Sequence, residues 1–399
     1  MKPLEGIRVL DLSRILAGPV CTQILADLGA EVWKLESPWG DDTRRWGPPF
    51  QEGESAYYLS ANRGKKSVAV NLKDPRGQAL VRELAARADV LVENFKAGTL
   101  ARYGLDYASL APLNPGLVYC SITGFGQTGP RAQEPGYDVA LQGITGIMSI
   151  TGEPDGPPVK VGVAWIDVLT GLYAAIGILT ALWERASSGK GQYIDLALFD
   201  VGLASLVNQA QAYLMTGEVP GRLGSAHPQI VPYQAFQAQD KWFILAVGND
   251  EQYRRMTEAI QHPELWEDPR FQTNAGRVAH REALVGRLAA IFRTRPRQAW
   301  LEVFHQAGVP ATPVNDLAEA FADPQAAARG VLWRVAHPTL GALPLVANPL
   351  QFMSRTPAAP AGPPPLLGEH TRQVLGAVLG VEEAELERLE RDGVIRSRA

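Results

Sequence analysis

Apolar residues run in short blocks through the first half of the chain. Residues 7–12 (IRVLDL), 31–35 (EVWKL), 89–93 (DVLVE) and 117–122 (LVYCSI) read as strands. Helical spacing fills the gaps, at 18–29 and at 75–87, where Pro75 stands in the first turn and its missing N–H removes no helical bond. Apolar strands alternating with helices predict an α/β fold with a mostly parallel, doubly wound sheet. A long helix buried in the core is predicted over 167–185, then a strand at 193–198 and a helix to Met215.

The pattern changes at the Gly- and Pro-containing stretch 217–221, which reads as a linker. Beyond it lie two strand signals (233–238 and 241–247) and helices at 251–260, 277–293 and 297–307. This region, 225–315, is predicted to be a smaller α+β domain between a large domain over 1–216 and a returning segment over 324–399. The return contains a Pro-rich connector at 357–365, expected to be extended and stiff, and a charged amphipathic end at 382–391.

Composition narrows the classes. The 399 residues exceed the usual size of one core, so more than one domain is expected. Lys plus Arg is 38 against 42 Asp plus Glu, a net charge of −4 that argues against a nucleic-acid partner. The two cysteines, Cys21 and Cys120, cannot build a disulfide framework and read as reduced thiols. The opening MKPLEG has no secretory pattern, and the uncharged stretch 168–183 falls short of the ~20 residues of a membrane span. A cytoplasmic protein with no membrane partner is expected.

Missing motifs exclude more chemistry. All six histidines lie beyond residue 226; there is no Gly-x-Ser-x-Gly elbow, no P-loop and no zinc-binding pattern, so no metal is expected. Residues 124–129 (GFGQTG) spell a dinucleotide fingerprint, but Pro130 follows where a helix must open, so the stretch reads as a Gly-rich loop. Four of the nine lysines (Lys65, Lys66, Lys73, Lys96) fall between residues 65 and 96, near Arg63, Arg76 and Arg102. That cluster is either a solvated face or a site for a polyphosphate ligand such as coenzyme A. Asp167, alone at the head of an uncharged helix, is either its N-cap or an exposed nucleophilic carboxylate whose pKa the helix N-terminus lowers.

Taken together, the motifs strongly resemble the class III coenzyme A transferases (the CaiB/BaiF type). The matching stretches are 3–12 (PLEGIRVLDL) with 17–19 (AGP), 28–36 (LGAEVWKLE), 62–67 (NRGKKS), 88–95 (ADVLVENF), 121–130 (SITGFGQTGP), 136–138 (GYD), the Asp167 helix, and 364–371 (PPLLGEHT). The resemblance implies a Rossmann-like large domain made from both chain ends, a small domain inserted into it, and a homodimer of two interlocked rings. It implies that Asp167 is the catalytic carboxylate, attacking an acyl-CoA thioester and passing the coenzyme to a second carboxylic acid. It places Leu16, Ala17, Val70, Asn71, Leu72, Lys73, Asn94, Phe95, Lys96, Arg102 and Tyr137 along the coenzyme. This chain departs from the formyl-CoA enzyme of that family at Arg14, Leu16 and Ser37, and has residues 227–233 where that enzyme has a glycine run.

Two alternatives stand beside this reading. A racemase of the same family carries His where this chain has Tyr137, and a phenol of pKa ~10 is a poor base at neutral pH. A non-catalytic CoA-binding protein would use Asp167 only as a cap. Residues 136–174 look most like the branch that uses dicarboxylates such as succinate or glutarate, with Arg222 or His227 as candidates to meet a distal carboxylate.

Overall fold

The computed structural model describes residues 2–398. They form two compact units: one from the segments Met1–Ile147, Val161–Leu214 and Arg329–Ala399, the other from Met148–Lys160 and Met215–Ala328.

The first unit is built on a seven-stranded sheet. In spatial order its strands are Ile395–Arg396, Lys65–Val70, Glu31–Glu36, Arg8–Asp11, Val90–Glu93, Val118–Thr123 and Tyr193–Ala197. Every pairing is parallel except that of Ile395–Arg396, which closes one edge antiparallel to Lys65–Val70. Successive strands first step to one side of Arg8–Asp11 and then, from Val90–Glu93, to the other. The reversal leaves a crevice beyond the C-terminal ends of these two strands, where doubly wound sheets bind ligands.

Both faces of the sheet are covered, which explains why its strands read as unbroken apolar runs. Side chains alternate with period two. Val9, Val32, Val90, Val92, Cys120 and Ile122 pack with Cys21, Leu25, Ile166, Ala174 and Ile178 of the helices Ala17–Asp27 and Trp165–Ser188. Leu10, Trp33, Leu35, Val68 and Leu91 face the other way, onto Val81, Leu84, Leu375 and Leu386 of Pro75–Ala85, Thr371–Leu379 and Glu383–Arg391.

The helix Trp165–Ser188 is long and apolar enough to cross a membrane by length and composition, yet it packs one face into this core. The expectation of a fully buried helix needs correcting on its other side, where Leu172, Tyr173 and Ile176 are exposed and Trp183 is 84% exposed.

The basic cluster also needs correcting. Most of its cations are taken by carboxylates, two of them inside the fold: Arg63 makes a bidentate pair with Asp27 (2.6 Å for the closer bond) and Lys65 meets Asp11 at 3.1 Å, while nearer the surface Lys66 meets Glu31 and Arg76 meets Asp74 and Asp392. Lys65 and Asp11 are fully buried, and desolvation brings the Lys65 ammonium down to about 8. Lys34 and Asp41 form a second fully buried pair at 3.0 Å. Beside it Glu36 takes a fork of two bonds from Arg44, which also donates to the Pro365 carbonyl. With Gly368 N–H on Ser67 Oγ and His370 N–H on the Ser67 carbonyl, these bonds fix the returning segment against the sheet.

The second unit holds a three-stranded antiparallel sheet, Ala311–Pro313, Trp242–Ala246 and Tyr233–Gln237, backed by helices. Phe236, Phe243, Phe292, Trp300 and Phe304 form its aromatic core. The single helix predicted over 277–293 is two, Asn274–Ala279 and Arg281–Phe292, broken at His280. Arg222 gives its guanidinium to the carbonyls of Glu153, Pro154 and Gly156, so its hydrogen bonds are spent on structure, and the His227 ring packs against Tyr233.

Candidate active site

The loops leaving Arg8–Asp11 and Val90–Glu93 meet in the crevice. Asn94 accepts the Arg14 N–H on Oδ1 (2.9 Å) and donates Nδ2 to the Arg14 carbonyl (2.8 Å). Between them Ile15 adopts φ +70°, a left-handed conformation that is strained for a β-branched residue and frequent at functional sites. Its N–H points at the Asp41 carboxylate (3.3 Å), so the buried Lys34–Asp41 pair helps to hold the strain.

A third segment approaches from the Gly-rich loop. A Cβ on Gly124 would lie 2.5 Å from Gly136 Cα, and one on Gly136 would lie 2.2 Å from Gly124 Cα. Glycine is required at both positions because two backbones touch. No helix opens after residues 124–129; the next begins at Asp138, after Gly136 and Tyr137 have entered the crevice.

Asp167 lies at the third position of the helix Trp165–Ser188, whose N-cap is Ala164. The capping alternative therefore fails as stated. The cap comes from Asp138, whose Oδ1 accepts the N–H groups of Ile166 (2.8 Å) and Asp167 (3.2 Å). Buried Gln142 donates to the other Asp138 oxygen at 2.6 Å and accepts the Val161 N–H, fixing the approach to the helix.

The expected lowering of the Asp167 pKa is reversed. Burial pushes its carboxyl up to about 7, and the negative charge of Asp138 adds to the rise. Together they outweigh the helix N-terminus. The Tyr57 phenol is pushed up to about 12, by burial and then by the charges of Asp167 and Asp138.

Asp167 opens into a cavity of about 240 Å³ that is also lined by Leu16, Ala17, Asn94, Phe95, Lys96 and Tyr137. Val70, Asn71, Leu72 and Lys73 line a second cavity of about 440 Å³, which shares Arg14, Asp42 and Phe95 with the first. Arg102 lines neither; it lies on the exposed turn Leu100–Tyr103 and contacts Thr99. A third cavity, about 310 Å³, contains Glu93, Asp106 and three packed tyrosines, and shares Lys96 with the first. Burial raises Glu93 to about 7 against the N–H of Phe95 bonded to it at 2.8 Å.

Sequence reasoning passed over Asp138, Gln142, Ile15 and Asp42. Only Asp138 carried a signal, standing beside Tyr137 in the Gly-Tyr-Asp stretch. Asp42 binds Arg14 Nη1 at 3.2 Å and Arg45 Nη2 at 3.1 Å, and it lines both the first and the second cavity.

A carboxylate in a small cavity, next to a larger one carrying Arg and Lys, suits acyl transfer from a charged carrier. Residues 4–371 match the model of CoA-transferase family III. The chain is 46% identical to succinyl-CoA:glutarate CoA-transferase of Mus musculus, over 99% of this chain and 91% of that protein. It is 49% identical to succinate–glutarate CoA-transferase of Agrobacterium fabrum, over 98% of this chain and 97% of that one. A CaiB/BaiF family protein from Brucella suis superposes with a TM-score of 0.86 at 48% identity, covering 94% of this chain and 99% of that structure.

The chain belongs to CoA-transferase family III, and it is an enzyme that moves coenzyme A between carboxylic acids. The racemase and the non-catalytic alternatives are set aside by the same matches.

Proposed function

We propose that this enzyme exchanges coenzyme A between two dicarboxylic acids of the succinate and glutarate type, with Asp167 as the nucleophile. The observation that carries the mechanism is Asp167 itself, its helix start held by Asp138 at the wall of a cavity between two crossing loops. The choice of acids is supported by the succinate and glutarate named as substrates of the Mus musculus and Agrobacterium fabrum relatives.

In this reading one Asp167 oxygen attacks the thioester carbonyl. The C–S bond breaks, the coenzyme leaves as thiolate, and a mixed anhydride remains. The thiolate attacks the aspartyl carbonyl and expels the donor acid as its carboxylate, leaving an aspartyl-CoA thioester. The acceptor carboxylate then displaces the thiolate to form a second anhydride. Attack of the thiolate on the acceptor's carbonyl releases the new acyl-CoA and restores the Asp167 carboxylate. Coenzyme contacts are assigned to Leu16, Ala17, Asn94, Phe95, Lys96 and Tyr137 in the first cavity and to residues 70–73 in the second; Arg102 is assigned a peripheral contact.

We also infer an interlocked homodimer and a cytoplasmic location. Support for the dimer comes from the exposed apolar side of Trp165–Ser188 and from the helix Val207–Thr216, which buries no residue although it carries Tyr213, Leu214 and Met215. Both cysteines are free and buried, which suits a reducing compartment. Sedimentation equilibrium tests the dimer. A panel of acyl-CoA donors against carboxylic acid acceptors tests the reaction: succinyl-CoA with glutarate turns over fastest, and a preference for monocarboxylates overturns the choice of acids. Hydroxylamine trapping of a CoA-labelled protein, lost in Asp167→Asn, tests the covalent route.

A further inference from the structure

Coenzyme A is far larger than the 240 Å³ cavity at Asp167, so its nucleotide end must lie in a neighbouring one. Two cavities adjoin, and their charges differ. The one that shares Lys96 contains Glu93 and Asp106, whose carboxylates repel phosphate. The other contains Arg14, Arg45 and Lys73, against Asp42 and Glu36. Glu36 is already taken by its fork with Arg44, leaving Asp42 alone against three cations.

Asp42 does not neutralise these cations so much as aim them. Its Oδ2 holds Arg14, whose guanidinium also lies 5.5 Å from the Phe95 ring centre on the boundary between the two clefts. Its Oδ1 holds one terminal nitrogen of Arg45 and leaves the rest of that guanidinium free to donate. Lys73 donates its backbone N–H to Asn71 Oδ1, and no ion pair among the described residues orients its ammonium. Ser37, at the end of the same wall, brings no charge. Arg14 is held by Asp42 in the same way but stands on the boundary with the first cavity; Arg45 is the oriented, unsaturated cation that lines this cleft and not the first cavity, and the chain around it places Trp39 on the same wall with an exposed indole.

We propose that Arg45, oriented by Asp42, binds the 3′-phosphate of coenzyme A and makes this enzyme discriminate the coenzyme from its 3′-dephospho form. This rests on the placement of the thioester at Asp167 given above.

The experiment is calorimetric titration of the full-length wild type, Arg45→Gln, Arg45→Lys and Leu72→Trp with coenzyme A and with 3′-dephospho-CoA. Arg45 is exposed and its only ion pair among the described residues is with Asp42, so melting curves of its variants should match the wild type. The wild type is expected to prefer the phosphorylated form by about tenfold, the weight of one charge-assisted contact. Arg45→Gln should erase the preference by weakening coenzyme A alone, Arg45→Lys should keep most of it, and KM for succinyl-CoA should rise in Arg45→Gln while kcat stands. If Arg45→Gln leaves the preference intact, or weakens both ligands equally, the assignment of Arg45 is overturned. Leu72→Trp separates that failure from a larger one. It fills the cleft and should weaken both ligands; if both bind it as they bind the wild type, the nucleotide end lies elsewhere and the parent placement falls too.

Discussion

Replacing Asp138 by Asn changes one charge next to Asp167, the proposed nucleophile, and leaves an acceptor oxygen on the N–H groups of Ile166 and Asp167. The Asp167 carboxyl sits near pH 7 instead of its ordinary 3.8 for two reasons, burial first and the Asp138 charge second. The charge therefore accounts for less than half of the rise. Removing it should lower the ionisation midpoint of Asp167 by about one pH unit, worth about 1.4 kcal/mol. In the proposed mechanism Asp167 must be ionised to attack, so activity climbs as pH rises through that midpoint. The acid limb of kcat/KM, measured between pH 4.5 and 9 with succinyl-CoA and glutarate, should shift from about 7 towards 6.

One rival for the limb has to be removed. Glu93 is also raised to about 7, and its carboxyl braces the loop that carries Asn94 to Lys96. Glu93→Gln is the control, and it should leave the midpoint where it was. A limb that moves in Glu93→Gln and stays fixed in Asp138→Asn would refute the assignment of the limb to Asp167. The Asn variant has its own cost, because its amide faces the Gln142 amide that donates to Asp138. About 1 kcal/mol of stability should be lost, visible in thermal melting and separable from the pH effect.

Other outcomes follow from the same structure. Asp167→Asn should abolish transfer and stabilise the protein at pH 8, by about 1–2 kcal/mol. A buried acid with a raised pKa opposes folding once it ionises, so the gain should fade as pH drops below about 7 and vanish near 4; an equal gain at pH 4 would contradict this. Asp27→Ala strands the buried Arg63 guanidinium and removes the acceptor of Asn348 Nδ2, and should destabilise the fold by about 3–5 kcal/mol in urea titration. Gly136→Ala forces apart two backbones in contact and displaces the Tyr137–Asp138 segment. It should cut kcat at least tenfold while leaving the melting temperature within a few degrees, whereas Gly129→Ala, which meets no neighbouring atom but strains a backbone at φ +91°, should cost some stability and lower kcat far less.

The strands of the sheet were legible because both of their faces are buried, so local composition reports the tertiary setting directly. Asp167 was visible as a lone charge at a helix head, but its proposed role came from the order of motifs, and its environment was misread. The acid beside it is 29 residues away, and neither that contact nor the burial leaves a trace in local sequence. The basic cluster failed for the same reason at larger scale: the partners of Arg63 and Lys65 lie 36 and 54 residues away, and the second partner of Arg76, beside the local Asp74, lies 316 away. The break at His280 was hidden because apolar spacing continues across it. Arg45, inside the stretch 41–46 that sequence reasoning left without a role, becomes interesting only when Asp42 is seen to hold it.

The strand Ile395–Arg396 pairs with Lys65–Val70, and the Pro365 carbonyl takes a bond from Arg44. A ribosome making this chain therefore releases the edge Lys65–Val70 hundreds of residues before its partner exists. Meanwhile the second unit, drawn mostly from Met215–Ala328, emerges complete with its own aromatic core. The order of synthesis thus favours a folded middle carried on an unfinished sheet, and a chain that stalls before its last ten residues would present an open, pairing-competent edge to its neighbours.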